Sequence, residues 1–391
     1  MTKKRTAGRH FLQIPGPSAV PDRILQAIGS QTVDHRGPGF SEIGHKALDG
    51  LKTIFKTKNG HAVIYPASGT GAWEAALVNT ISPGDHLLMF ETGHFAFMWQ
   101  KMATKLGFKP EVIEGDWRSG ADPDVIEERL RQDTEHSIKA VCIVHNETST
   151  GCVSPVLEVR KAIDAVGHPA LLMVDSISGL ASIDLNFDEW GIDVCVAGSQ
   201  KGLMLPPGIS FNCISEKALE VSNHAGVARS YWDWAEMIEQ NKRGYFPYTP
   251  ATNMLYGLNE AIEMLHEEGL DTVFSRHQRH ARATRAAVAA WGFETQCKRQ
   301  GQESGVLTAV RMPEGHSADA LRALILDKFD VSLGNGLTKI ADKVFRIGHL
   351  GDFNDAMLMG TLSGIEMGLQ HGEVPHASDG VAAAMTSLQH N

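Results

Sequence analysis

From about residue 60 the chain alternates short, densely apolar runs with longer ones in which apolar residues recur every three or four positions. HAVIYPAS (61–68), HLLMFE (86–91), KAVCIVHN (139–146), ALLMVDS (170–176) and DVCVAGS (193–199) read as strands. Helical spacing marks GAWEAALVNTI (71–81), which stops at the turn SPGD, FAFMWQKMATKLG (95–107), closed by its glycine, and VLEVRKAIDAVG (156–167). Strands that are apolar at nearly every position are buried on both faces. Alternating with helices, they predict a mostly parallel sheet covered on both sides.

After about residue 253 the texture changes. NMLYGLNEAIEMLHEEG (253–269) and VFSRHQRHARATRAAVAAWG (273–292) read as consecutive helices, followed by LTAVRMP, a helix near ADALRALILDKF and the strand KVFRIGHL. The expected fold class is α/β, with a large domain built on the central sheet and a small C-terminal α+β domain. The expected division is an N-terminal segment 1–19, a large domain 20–268 and a small domain 269–391. The closing SDGVAAAMTSLQHN is too weakly patterned to assign, and there is no internal repeat.

Composition narrows the function classes. The 391 residues are 42% hydrophobic and 21% charged, enough for a large core. A formal charge of −10 argues against nucleic acid or an anionic membrane as partner. Cys142, Cys152, Cys195, Cys213 and Cys297 form no CxxC pair and fall in apparent strands, as reduced, buried thiols would in a reducing compartment. No apolar signal core follows the basic MTKKRTAGRH, no window approaches a membrane span, and the terminal QHN is not a peroxisomal address; the expectation is a cytoplasmic protein.

Lys201 and four further features fall at or near the carboxyl ends of strands, where parallel sheets place ligands. Lys201 follows DVCVAGSQ and precedes GLMLPPG, so it has no exposed helix face to lie on. Ser68-Gly69-Thr70-Gly71 opens a helix with small residues, free N–H groups and two hydroxyls, the chemistry of a phosphate site. Asp175 ends a buried strand, which is costly without a cationic partner, and no neighbouring His/Asp pair suggests a metal. Arg346, between apolar neighbours in KVFRIGHLG, needs an anion, and a carboxylate matches its fork. HNETSTG (145–151) adds side-chain donors. Taken singly these features also fit a turn, a helix cap, a loop lysine and a structural ion pair. Jointly they fit a pyridoxal-phosphate site, with the lysine forming the Schiff base and the aspartate keeping the pyridine nitrogen protonated.

The motifs PGP, SGTGAWEAALVN, HNETSTG, VDSISG, GSQKGLMLPPG, GYFPYTP and FRIGHLG follow one another from FLQIPGPSAVP to KVFRIGHLG. In that order the chain resembles the class V, fold-type I aminotransferases, in particular the alanine/serine–glyoxylate aminotransferase group. The resemblance implies that Lys201 is the catalytic lysine and that Asp175 partners the pyridinium. It implies that Ser68, Gly69 and Thr70 hold the phosphate with Gln200. Phe95 would stack on the cofactor, Thr148 would lie near its ring hydroxyl, and Ile177 would pack on the other face. Arg346 would take the substrate carboxylate, with His35 and Arg36 facing substrate. Family members are homodimers with sites at the interface, so Tyr248 and Thr249 would reach the neighbour's phosphate. The implied reaction is transamination of glyoxylate to glycine from a small amino acid, serine being preferred over aspartate or alanine. A persulfide-forming class V lyase would need a mobile cysteine, and Cys297, the only one in the small domain, sits in no evident loop motif.

Overall fold

The computed structural model describes residues 7–389. The MTKKRT start and the His390-Asn391 end, on which the readings about signals partly rest, lie outside them. The strands are β1 Phe11–Gln13, β2 His61–Tyr65, β3 His86–Glu91, β4 Lys109–Glu114, β5 Ile138–Val144, β6 Asn146–Glu147, β7 Cys152–Val153, β8 Leu171–Asp175, β9 Val194–Gly198, β10 Ser210–Ile214, β11 Leu307–Arg311, β12 Val331–Asn335 and β13 Val344–Gly348.

Seven of them form one sheet in the order β2-β10-β9-β8-β5-β3-β4, parallel except for β10, which runs antiparallel to both its neighbours. The inner strands β3, β5, β8 and β9 are densely apolar because each face has its own core and successive side chains alternate between the two, whereas the edge strand β4, KPEVIE, is largely half-exposed and β10 carries Ser210 and Asn212. Ile64, Leu88, Val141, Leu172, Val174 and Ala197 pack on one side against helices Phe40–Phe55, Pro123–Gln132, Val156–Ala165 and Thr252–Glu268. Val63, Met89, Cys142, Met173, Val194 and Val196 pack on the other against helices Gly69–Thr80, His94–Lys105, Glu216–Ser222 and Trp234–Asn241. Each fully buried aliphatic side chain contributes about 1.5–3 kcal/mol relative to exposure, which makes this double layer the main stabilising mass of the chain.

A second sheet, β1-β12-β13-β11, lies under helices Ala318–Phe329, Asp355–His371 and Gly380–Gln389 around a separate core that includes Leu333, Phe345, Ile347 and Leu362. Within the closing segment that sequence left unassigned, Gly380–Gln389 is a helix. Its first glycine fits under Trp291, whose indole nitrogen would lie 2.1 Å from an added Cβ at Gly380. Gly269, at φ 82°, separates helices Thr252–Glu268 and Leu270–Ala290. The early strand β1 pairs in parallel with β12, so the N-terminal arm is stitched to the second sheet before it crosses to the first. Among the described residues no helix is long and apolar enough to cross a membrane, and all five cysteines are buried and unbridged.

Candidate active site

The site is assembled at the carboxyl ends of β8 and β9, which are adjacent and parallel, with Asp175 opposite Val196. Asp175 is the last residue of β8 and only 3% exposed. Its Oδ1 accepts the Ile177 N–H at 2.7 Å and its Oδ2 accepts the Trp73 indole N–H at 3.1 Å. Burial, seconded by the Glu147 charge, pushes its carboxyl up to about 7, against the pull of Ile177, Trp73 and Lys201.

Lys201 lies three residues past the end of β9 and is 8% exposed. Burial and the Arg346 charge lower its amine to about 8, with Asp175 opposing. Nζ donates to the Pro15 carbonyl at 2.8 Å. Around that bond the PGPS segment is fitted closely. At φ 97° Gly16 has a backbone conformation that side chains rarely adopt, and a Cβ there would lie 2.4 Å from both Cδ and Nζ of Lys201, displacing the end of that side chain. Ser18 fastens the crossing, its N–H to the Gln200 carbonyl at 3.0 Å and its hydroxyl to the Lys201 carbonyl at 3.0 Å.

Ser68 is the residue before helix Gly69–Thr80, and its hydroxyl makes no capping bond to that helix. The first turn carries no acidic residue, so its N–H groups and positive dipole end meet no counter-charge there. Ser68 and Thr70 are exposed, whereas Gly69 is buried against Ile177, whose Cδ1 would be 2.4 Å from a Cβ on Gly69. Gly198 sits between Ile177 and Gln200, and the Gln200 Oε1 is buried with no partner. An unpartnered buried carbonyl oxygen is costly, and Ile177 links it to the helix start, packing against both Gly198 and Gly69.

Phe95 opens helix His94–Lys105, and the HNETSTG hairpin fixes that helix end. Ser149 Oγ accepts the His94 N–H at 2.9 Å, while the Glu147 carboxylate accepts from Phe95 N–H at 3.4 Å and Ala96 N–H at 3.2 Å. Glu147 is wholly buried, and burial raises its carboxyl. Gly93 is required for this fit, because a Cβ there would lie 2.4 Å from Ser149 Oγ. Thr148 is buried, with its hydroxyl donating to Ser178 Oγ at 2.7 Å and its carbonyl accepting from Arg346 Nη1 at 2.8 Å. Arg346, in the middle of β13, also donates from Nε to the Asn335 carbonyl at 2.8 Å. Burial lowers its guanidinium to about 10. Both of these partners are neutral carbonyls and no ion pair engages it among the described residues, so the buried cation is opposed only by the charge of Glu147, which makes no direct contact with it.

The geometry therefore gathers Lys201, Asp175, Ile177, Gln200, Gly69, Thr148 and Arg346 around one region, with Ser68, Thr70 and Phe95 on the two helix ends facing it. Tyr248, Thr249, His35 and Arg36 have no hydrogen bond to that group among the described residues. Tyr248 stacks on Tyr231 at 4.3 Å and donates to the Ile64 carbonyl, while Thr249 meets His35 at 3.4 Å. Arg36 uses only its backbone N–H, on Asp34. Sequence reasoning passed over Trp73, Glu147, Ser178 and the Pro15–Ser18 crossing, though PGP and HNETSTG stood among its motifs. A cavity of about 360 Å³ opens elsewhere, at the amino ends of β5 and β8 beside His136 and Lys139, and contains none of these groups.

Comparison with known proteins gives the arrangement a context. The profile described as aminotransferase class-V matches residues 10–350. The serine–glyoxylate aminotransferase of Methylorubrum extorquens is 45% identical, covering 100% of this chain and 99% of that protein. The L-aspartate–glyoxylate aminotransferase of Paracoccus denitrificans is 41% identical over 95% and 94% of the two chains. The crystal structure of ureidoglycine–glyoxylate aminotransferase from Bacillus subtilis superposes with a TM-score of 0.90 at 26% identity, covering 99% of this chain and 100% of that one.

Proposed function

The chain belongs to the class-V aminotransferase family and is an aminotransferase; from that premise we propose that it holds pyridoxal 5′-phosphate at Lys201 and transfers an amino group from L-serine to glyoxylate, giving glycine. The observation that carries the reading is the presence of two buried groups at the ends of neighbouring strands, a carboxyl at Asp175 closing β8 and an amine at Lys201 just past β9, neither of them in an ion pair among the described residues.

The residues fit the cofactor. Ser68 has a hydroxyl unused by its own helix, and Gly69 and Thr70 bring backbone N–H groups of the first turn, together a cradle for a phosphate to which Gln200 would add its amide NH2 as donor. Asp175 would hold the pyridine nitrogen, Phe95 and Ile177 would flank the ring, and the Thr148–Ser178 hydroxyl pair would serve its hydroxyl. When bound, pyridoxal phosphate supplies a carbonyl that takes an amine and a ring that accepts the electrons released when the α-proton leaves. Lys201 would supply the tethering amine and, once free of the cofactor, would take the α-proton at Nζ as general base, a role favoured by the burial and the Arg346 charge that lower its amine. Arg346 holds the α-carboxylate and so orients the bond to be broken.

Serine is supported by the 45%-identical relative of that specificity. Aspartate is the second reading, supported by the Paracoccus relative and by the Arg36 guanidinium, which has no partner among the described residues. We read the active form as a homodimer in which His35, Arg36, Tyr248 and Thr249 complete the neighbour's site. Tyr231, which stacks on Tyr248, is 43% exposed, as an aromatic at such an interface would be in a single chain. We further read 20–268 as the cofactor-binding unit and 269–391 as the smaller one, and the unbridged cysteines as fitting the reducing cytoplasm.

The test is glycine formation from glyoxylate by the cofactor-loaded protein, with serine, aspartate and alanine offered singly and kcat/KM compared. Serine preference is expected; aspartate preference would assign Arg36 to the distal carboxylate, and glycine from none of them would refute the acceptor. Lys201→Ala should lose both covalent cofactor absorbance and turnover, and normal turnover in that variant would overturn the whole reading.

A further inference from the structure

Trp73 and Trp99 lie face to face beside Asp175, with ring centroids 6.0 Å apart and planes 12° from parallel. Both are buried, yet their indole nitrogens differ. Trp73 donates to Asp175 Oδ2 at 3.1 Å, whereas Trp99 Nε1 is buried with no partner. A carboxylate has about four lone-pair sites. Here the Ile177 N–H takes one on Oδ1 and Trp73 one on Oδ2, so two donors from different elements fix the rotation of the group and leave the remaining lone pairs free. Trp73 is also part of helix Gly69–Thr80, the helix whose first turn forms the phosphate cradle. One rigid element therefore reaches both the phosphate end and the carboxylate.

We infer that Trp73 is a positioning residue for Asp175, its indole N–H holding the carboxylate in register with the phosphate cradle at the start of the same helix. The inference rests on the reading that Asp175 partners the cofactor's pyridine nitrogen. The groups that act on Asp175 electrostatically are Glu147, which raises its carboxyl along with burial, and Lys201, which lowers it; the Cys195 thiol on β9 is also within its influence. Removing the Trp73 donor leaves Glu147 and burial less opposed, so the carboxylate becomes harder to ionise.

The test compares Trp73→Phe with Trp99→Phe, reading pyridoxal-phosphate affinity by absorbance titration between pH 5 and 9. A hydrogen bond to a charged group is worth about 1.5–3 kcal/mol, so Trp73→Phe should weaken binding about ten- to hundredfold and move its low-pH limit upward. Trp99→Phe loses the same indole and the same stack but no bond to Asp175, and should keep the wild-type affinity and pH profile. Unchanged binding in Trp73→Phe, or equal shifts in both variants, would overturn the inference. Wild-type protein that takes up no pyridoxal phosphate would instead sink the parent reading. Should Trp73→Phe not fold, 5-fluorotryptophan labelling decides. A tryptophan resonance that titrates in wild type and not in Asp175→Asn is expected, and the absence of any resonance sensitive to that substitution overturns the proposal.

Discussion

Asp175 makes the cofactor-free protein less stable than it could be, and the amount follows from its surroundings. The carboxyl is held at about 7, against an ordinary value of 3.8, chiefly because it is buried. A carboxyl whose folded-state value stands above its unfolded one gives its full stability below about pH 4 and loses it as pH rises through about 7. Across that window the loss is on the order of 4 kcal/mol, at 1.36 kcal/mol for each pH unit of displacement. Asp175→Asn removes the charge and hence the slope. The amide cannot accept from both Ile177 and Trp73 as the carboxylate does, and one donor left facing an NH2 costs about 1–3 kcal/mol. The net expectation at pH 8 is a cofactor-free Asp175→Asn protein about 1–3 kcal/mol more stable than wild type, an advantage that shrinks or reverses at pH 5. Urea unfolding midpoints of the two cofactor-free proteins at both pH values measure it. A difference that does not change between pH 5 and pH 8 would refute the argument, since it would mean the carboxyl titrates alike in the folded and unfolded chain. With the cofactor present the order should reverse in function, Asp175→Asn losing most turnover, as expected where a site keeps a strained charge for its chemistry.

Gly16→Ala should cost about 1–3 kcal/mol for the positive φ and drive the lysine amine off the Pro15 carbonyl. Borohydride trapping of the cofactor on Lys201 should then slow severely, and trapping at the wild-type rate would show that the crossing has more room than the structure gives it. Glu147→Ala strands the Phe95 and Ala96 N–H groups at the start of their helix and should lower stability by about 1–3 kcal/mol while weakening cofactor binding. Urea denaturation and a cofactor titration check it, and unchanged values in both would exclude the hairpin from any supporting role. Cys297→Ala should retain full transamination, because the thiol is buried and bonded to the Gln302 carbonyl at 3.4 Å; loss of turnover would favour persulfide chemistry instead.

What sequence could and could not disclose divides along the range of the interactions. The five apolar runs are strands because burial on both faces leaves a dense local signature, and Asp175 and Lys201 were legible because strand ends can be counted off those runs. Helix starts were off by small margins: GHFAF begins its helix at His94, one residue before the apolar run suggests, because Ser149 and Glu147 cap it from outside. β1 was illegible, since three residues carry no period and its pairing with β12 is entirely non-local. The antiparallel β10, SFNCI, lacks the dense apolar run of its neighbours because Ser210 and Asn212 interrupt it, and strand direction leaves no mark on composition. Trp73 reaches Asp175 across 102 positions and Pro15 reaches Lys201 across 186, separations at which no spacing rule operates. The motifs marked these places without saying which atom met which.

The Pro15 contact also explains why the site needs the second sheet. β1 pairs with β12, and β12 places Gly334 opposite Arg346 on β13. A Cβ on Gly334 would lie 2.7 Å from Pro15 Cδ and 3.1 Å from Arg346 Cβ, so proline, glycine and arginine are packed in direct succession. On its other side Pro15 holds the Lys201 amine through its carbonyl. The arginine proposed to take the substrate carboxylate and the lysine proposed to take its α-proton are thus separated by one proline that touches the structure on both sides. In an interior packed this closely, displacement of either group is transmitted to Pro15. Ser18, which ties the same arm to Gln200 and Lys201, limits how far Pro15 can yield. If Arg346 and Lys201 have the roles proposed, the N-terminal arm is the spacer between carboxylate binding and proton transfer, because Arg346 stands on the second sheet and Lys201 follows a strand of the first.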